Sequence, residues 1–239
     1  MTVLAFDTST PSTVVGLRLP DGSSAELVDR RAVGQRPGHQ EQLLLLAQRL
    51  LADHGLSLGE VSRLAVGVGP GTYTGLRVGV ATARALAQAL DLELVPVPSL
   101  AAVAYACRSA AGLQDVLVLN DARRGELFAA LYRLEGAGPP TELIAPRPLR
   151  PAAIGDLLAR VLERCPKPPV VAGDGLEVVA QELAQAGLAA AGVTGSSGRA
   201  FAELGWLGRP AELAAVVPDY RREPDAVPTK LRAEAAGRR

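Results

Sequence analysis

The chain has 239 residues, 48% of them apolar, and its 25 lysines and arginines are matched by 25 aspartates and glutamates. That is enough apolar sequence for one large domain or two small ones with a substantial core, and the charge balance argues against a broad basic surface that would hold RNA unaided. No apolar run reaches membrane-spanning length, no basic leader with a cleavage site opens the sequence, and Cys107 and Cys165 lack metal-binding or redox spacing; a cytoplasmic protein without zinc is expected.

Thr2 to Asp7 reads as a buried strand, Thr13 to Leu19 as a second after a tight turn, and Ser24 to Arg31 as a third, together an antiparallel meander. A loop over Gln35 to Gly38 leads into a helix from His39 to His54, ended by Gly55 and followed by the capping-box pattern Ser57-Leu58-Gly59-Glu60. Arg63 to Val68 is β-branched and apolar, Gly69-Pro70-Gly71 makes a sharp turn, and the alanine-rich run from Leu76 to Leu90 is a helix that Thr72 or Thr74 can cap. Leu94 to Val97 is a short strand, and Ser99 caps a helix running to about Ala110.

The pattern then restarts. Asp115 to Asn120 is an apolar strand running into Asp121 as the first strand runs into Asp7; Glu126 to Leu134 and Thr141 to Arg147 read as further strands. A helix from about Ala152 to Arg164, a strand at Pro169 to Ala172, and helices at Leu176 to Ala186 and Ala200 to Leu207 follow. The reading is α/β, two lobes that each set a strand meander before alternating helices and strands: residues 1–110, then 111–220, then a charged, proline-punctuated tail over 221–239 expected to be frayed.

Two kinds of site are open at this point. Gly69, Pro70, Gly71, Thr72, Tyr73, Thr74, Gly75 and Arg77 form a glycine loop between strand and helix, which can aim backbone amides at an anion or simply let the helix pack closely against another. Gly75-Leu76-Arg77 stands where a P-loop needs Gly-Lys-Ser/Thr, so the loop is not a Walker motif. Asp7-Thr8-Ser9 and Asp121 end the first strand of each lobe, where a carboxylate and turn amides can hold a magnesium-bound phosphate; Gly173-Asp174-Gly175 could seat an adenine or be a plain turn. Against nucleotide binding, Ser9 and Arg123 occupy the places where a glycine is usual. His39 opens a helix, but Leu43 stands where a second metal ligand would have to be, so a structural histidine is the simpler reading.

The two first-lobe helices carry more apolar surface than one core needs. Leu43, Leu44, Leu46, Ala47, Leu50 and Leu51 already make a face, and Leu45 projects from the opposite side. In the Leu76–Leu90 helix only Arg77, Thr82, Arg84 and Gln88 interrupt the apolar surface, and a helix apolar on several sides is covered on several sides.

Leu4-Ala5-Phe6-Asp7-Thr8-Ser9-Thr10, His39, the block from Gly67 to Gly79, Pro98-Ser99-Leu100 and Asp121-Ala122-Arg123-Arg124-Gly125-Glu126-Leu127-Phe128, in that order, resemble the TsaB (YeaZ) family. The resemblance runs from residue 2 to about residue 222; Pro218-Asp219-Tyr220-Arg221-Arg222 is similar to the family's closing Pro-x-Tyr-Leu-Arg, with Arg221 in place of leucine. It implies an actin-like ATPase (ribonuclease H-like) fold that has lost its own catalysis. It also implies a role as partner of TsaD in making threonylcarbamoyladenosine at position 37 of tRNA, with TsaE joining the pair and tRNA meeting the complex. No catalytic residue, metal or required cofactor is then expected here, and vestigial nucleotide binding would fall to Asp7, Thr8, Ser9, Asp121, Gly173 and Gly175. The family's TsaD contact, and a homodimer in TsaD's absence, lie on first-lobe helices, which points to Leu45, Leu76, Val80, Ala83, Ala87 and Leu90. The rival expectations are a stand-alone kinase or ATPase of the superfamily, a peptidase that lacks ligands in this sequence, and direct tRNA binding through Arg123, Arg124 and the Arg221, Arg222, Arg232, Arg238, Arg239 tail.

Overall fold

A computed structural model describes residues 1–30, 37–108 and 114–221. The expectations for Arg31, Gln35, Ala110, Arg222, Arg232, Arg238 and Arg239 therefore lie outside the described residues. Strand β1 (Val3–Asp7) is buried along its whole length because both faces are apolar: Leu4 and Phe6 enter one core, Val3 and Ala5 another. Strand β2 (Thr13–Arg18) pairs antiparallel with β1, and β3 (Ser24–Asp29) antiparallel with β2, completing the meander. Helix α1 (His39–Ala52) follows, and a short 3-10 turn carries the expected capping box between Ser57 and Glu60. Strand β4 (Arg63–Gly69) lies parallel to β1 on its other edge; helix α2 (Tyr73–Leu90) returns the chain, and β5 (Glu93–Pro98) pairs parallel with β4. The first sheet thus runs β3-β2-β1-β4-β5.

Helix α3 (Ser99–Ala106) leads to the second sheet, made of β6 (Gln114–Arg123), β7 (Glu126–Leu134), β8 (Thr141–Leu149) and, after α4 (Ile154–Arg164), β9 (Val170–Ala172), in the order β8-β7-β6-β9. β6 and β9 are parallel and the other pairs antiparallel, so the second sheet repeats the first strand for strand through its fourth member. A single parallel bridge between Val171 and Ala190 stands at the position of the fifth. Two mixed sheets flanked by helices in this order make the actin-like ATPase fold. Helices α1 and α2 cover one face of the first sheet, α4 and α5 (Ala180–Gln185) one face of the second. Between the sheets lies α3, buried from Ser99 through Ala104, with Ala102 turned to the first sheet's core and Leu100, Val103 and Ala104 to the second's. Among the described residues no helix is long and apolar enough to cross a membrane.

One expectation about the lobes is corrected. The position of helix α6 (Gly198–Leu207) in the chain predicts a second-lobe element, yet Ala200, Phe201, Ala202 and Leu204 pack with Val3, Ala5, Ala65 and Val95 of the first sheet. Val216 joins the α1–α2 side of the same sheet, so the first lobe is built from residues 1–30 and 37–108 together with the stretch 198–216. The contact is close because it is made through glycines: a Cβ on Gly16 of β2 would overlap the carbonyl of Gly198, and one on Gly205 would overlap Ala65 Cβ. Gly16→Ala should therefore cost about 1–3 kcal/mol by forcing α6 off the sheet. Gly155→Ala in α4, where nothing lies within 4 Å, should be neutral or stabilise by about 0.5 kcal/mol; urea midpoints of the two variants against wild type make the comparison.

Candidate functional site

The first hairpin turn is a closed structure rather than an open cradle. Asp7 and Thr8 are 0% exposed and Ser9 is 2% exposed. Asp7 accepts hydrogen bonds from Ser9 Oγ (2.7 Å), Ser9 N (3.3 Å), Ser99 Oγ (3.0 Å) and Ser196 Oγ (3.1 Å), while Ser99 Oγ in turn accepts from Gly69 N (3.1 Å). Burial pushes the Asp7 carboxyl above its ordinary value, and the three serine hydroxyls pull the other way. One carboxylate thus ties together the β1–β2 turn, the glycine loop, the start of α3 and the approach to α6. Asp7, Thr8 and Ser9, the candidates for holding a ligand, are enclosed and take part in this internal lock.

The glycine block explains how the turn can be buried. A Cβ on Gly67, Gly71, Gly75 or Gly79 would overlap Asp7 Oδ1, the Ser9 carbonyl, the Thr8 carbonyl or Thr8 Oγ1 respectively. Thr8 Oγ1 donates to the Gly75 carbonyl at 2.7 Å, and Thr72 N donates to the Ser9 carbonyl at 2.7 Å. Of the loop glycines only Gly69 has a positive φ, +110°; Gly71 and Gly75 supply room, not unusual dihedrals. The neighbour that demands this room is the turn of a hairpin and not a second helix, which periodicity cannot foresee. Thr72 is the N-cap residue of α2, and its side chain makes no capping bond. His39 is buried and bonded to Thr13 Oγ1 (2.9 Å), a structural histidine under the same hairpin.

The second hairpin is open where the first is closed. Asp121 bounds a cavity of about 280 Å³ between the lobes, together with Arg30, Arg123, Asp174 and Ser196. Asp174 Oδ1 accepts from Asp121 N (2.7 Å), Asp121 Oδ1 accepts from Arg123 N (2.7 Å), and burial raises the Asp174 carboxyl above its ordinary value. Sequence reasoning gives Asp174 no role of its own; its only signal is the flanking pair Gly173 and Gly175. Those glycines serve packing, since a Cβ on Gly173 would overlap the Leu119 carbonyl and one on Gly175 would lie 2.5 Å from Leu127 Cδ2. With Asp7 enclosed and Asp121 on an open cavity wall, the two hairpins do not face each other with paired carboxylates, and the residues do not fit a magnesium-bound phosphate clamped between them. Among the described residues no group of three or more histidine, cysteine, aspartate or glutamate side chains could hold a metal ion.

The structure divides the six residues expected at a partner interface. Leu45 is 58% exposed, with Leu44 beside it on α1, and Leu90 is 38% exposed at the end of α2. Leu76, Val80, Ala83 and Ala87 are corrected: they are buried beneath α2 in the chain's own core or against it. The outer stripe of α2 is instead Thr74, Arg77, Ala81, Ala85 and Gln88. Between the starts of α1 and α2 opens a groove of about 520 Å³, bounded by Gln40, Glu41, Thr74 and Val78. At the head of α2 a strap closes the loop from outside: Asp219 N donates to the Val68 carbonyl (2.7 Å), Tyr220 stacks on Tyr73 with ring centroids 4.7 Å apart, and Arg77 donates to the Tyr220 hydroxyl (2.9 Å). Arg221, the departure from the expected leucine, pairs with Asp219.

Comparisons with known proteins bear on this arrangement. The family described as "TsaD: tRNA N6-adenosine threonylcarbamoyltransferase" matches residues 34–140. The tRNA threonylcarbamoyladenosine biosynthesis protein TsaB of Bacillus subtilis is 30% identical over 95% of this chain and 96% of its own length. TsaB of Haemophilus influenzae is 37% identical over 54% of this chain, a match that spans only about half (52%) of that relative. The solved structure of YeaZ from Pseudomonas aeruginosa superposes with a TM-score of 0.70 at 25% identity, over 92% of this chain and 99% of that one.

The buried lock gives stability a measurable pH dependence. Because the folded pKa of Asp7 is raised above 3.8, its contribution to stability is full below that value and is lost as pH rises through the folded one. Asp7→Asn removes that titration. The stability of wild type relative to Asp7→Asn, from urea midpoints at a series of pH values, should fall as pH rises from below 3.8; a difference that stays flat would show that Asp7 titrates alike in both states.

Proposed function

Because the chain belongs to the TsaB (YeaZ) family, we propose that it acts in the biosynthesis of threonylcarbamoyladenosine in tRNA as the non-catalytic partner of TsaD. The observation that carries this reading is the pairing of a sealed hairpin with an unsealed helix face. The position from which a kinase of this fold would hold its metal, Asp7, is buried and bonded on every side, whereas Leu44 and Leu45 of α1 and the thin outer stripe of α2 lie open. Alanines at 81 and 85 let another helix approach the α2 backbone closely, and the exposed Leu44 and Leu45 of α1 offer apolar area that a partner would remove from water. TsaD occupies this face in the working complex, and a second copy of the chain can occupy it when TsaD is absent. TsaE and tRNA join through the TsaB–TsaD pair in the cytoplasm, and the chain needs no cofactor of its own.

A second reading, a small-molecule kinase, draws on the open cavity at Asp121 and Asp174. Calorimetry with magnesium-ATP on the isolated chain separates the two: tight binding with turnover supports the kinase, and no heat supports the partner. The function itself is tested by reconstitution with TsaD, TsaE and the enzyme that makes the threonylcarbamoyl adenylate; modified tRNA should form with this chain and fall to background without it.

The docking face is tested by two variants that differ in burial. Leu45→Arg combined with Ala85→Arg changes exposed positions and should abolish co-purification with TsaD while leaving the unfolding free energy within about 0.5 kcal/mol of wild type. Ala83→Arg, fully buried, should lose the fold along with the complex.

A further inference from the structure

A smaller cavity, of about 180 Å³, opens at the strap beside the glycine loop and shares Thr74 with the outer stripe of α2. Tyr73, Phe128 and Tyr220 supply its rings, and Asp121, Arg123 and Arg221 its polar rim. Phe128 is 3% exposed and belongs to the second lobe's core, so the rings open to a ligand are those of Tyr73 and Tyr220. Tyr220 indeed stays 42% exposed. Arg77 stands over the Tyr73 ring at 4.1 Å and bonds the Tyr220 hydroxyl, holding both rings in place from below.

The charges fit the rings. Arg123 Nη1 meets Asp121 Oδ2 at 3.2 Å and Arg221 Nε meets Asp219 Oδ1 at 2.7 Å, each pairing using only part of a five-donor guanidinium fork. Of the residues that line the cavity two carry guanidiniums, Arg123 and Arg221, and one a carboxylate, Asp121. Aromatic faces set among arginines are the surface on which proteins hold unstacked bases of single-stranded RNA, the rings taking the base and the forks the phosphates. Asp121 adds an acceptor for the amino hydrogens of a base edge.

We propose that this cavity takes one unstacked nucleotide of a single-stranded RNA segment, stacked on the tyrosine pair with its phosphate on Arg123 and Arg221. That the RNA is tRNA rests on the function proposed above; that the site takes an RNA nucleotide does not.

The test uses the full chain, alone and bound to TsaD, with a labelled stem-loop whose loop is single-stranded and a fully paired duplex of the same length. Irradiation at short wavelength followed by peptide mapping should place the crosslink on the peptide containing Tyr220 or Tyr73, for the stem-loop and not the duplex. Tyr220→Ala should weaken stem-loop binding by at least about fivefold, and Tyr220→Phe should retain most of it, since the ring and not the hydroxyl stacks. Arg123→Gln should lower the slope of log affinity against log salt by about one while leaving capture of TsaD unchanged. Crosslinks mapping elsewhere, equal binding by Tyr220→Ala, equal affinity for the duplex, or competition by free AMP with no binding of the stem-loop would each overturn the proposal. If the stem-loop binds as described while reconstituted tRNA modification proves independent of the chain, the site stands and the assigned function fails. If modification depends on the chain while the stem-loop does not bind, the function stands and the site fails.

Discussion

The contact on which the rest of the molecule depends is the burial of the Asp7-Thr8-Ser9 turn against the backbone of the glycine block. A carboxylate removed from water is costly unless its lone pairs are filled, and here Ser9, Ser99 and Ser196 fill them from three separate stretches of chain. Each of those serines is fixed by the bond it makes, and two of them lead into something larger: Ser99 opens α3 and Ser196 runs into α6, while through Gly69 N the Ser99 hydroxyl also holds the loop before α2. Glycine at 67, 71, 75 and 79 is the steric condition for the contact, because a methyl group at any of them meets the turn. The same constraint sets how deeply α2 sits, and hence which of its stripes faces out.

Most elements are legible in the sequence, because each announces itself locally. The buried strands are unbroken apolar runs, the capping box at Ser57 and Glu60 is a four-residue signature, and the return of an apolar strand into Asp121 betrays the second lobe. What local pattern cannot supply is the destination of α6, whose apolar face at Ala200, Phe201 and Leu204 would suit either sheet. Partners distant in sequence decide it: Gly16 against Gly198, Gly205 against Ala65, and Arg18 paired with Glu203. The outward face of α2 is hidden for a related reason. Residues 76, 80, 83 and 87 do form one stripe at helical spacing, but alanine is as acceptable inside as outside, so Ala83 and Ala87 cannot be told from Ala81 and Ala85 by hydropathy.

The two lobes show what becomes of a duplicated hairpin when its ends take different partners. Asp7 and Asp121 hold equivalent positions, each at the close of the first strand of its sheet and paired across a hairpin to the second. Around Asp7 the loop glycines admit the turn and serines close over it. Around Asp121 the strands stay paired out to Arg123 and Glu126 across a bulge, the turn runs through Arg123 and Arg124, both at positive φ, and the carboxylate stands on a cavity wall. The sequence difference behind this is small, Thr8-Ser9 against Ala122-Arg123, yet it decides which hairpin is structure and which remains surface.

Helix α3 and the closing strap make the two lobes one body. A helix with no exposed stripe has no freedom to rotate or slide without opening voids on one side, and α3 shares its residues between both sheets. At the strap Asp219 bonds Val68 of the first sheet, and Tyr220 and Arg221 line a cavity with Phe128 and Arg123 of the second. The loop before α2 is thus held from inside, where the Ser99 hydroxyl that bonds Asp7 accepts from Gly69 N, and from outside, where the strap bonds Val68 and Tyr220 packs on Tyr73; the head of α2, from which both the outer stripe and the tyrosine-lined opening start, is positioned by the two together.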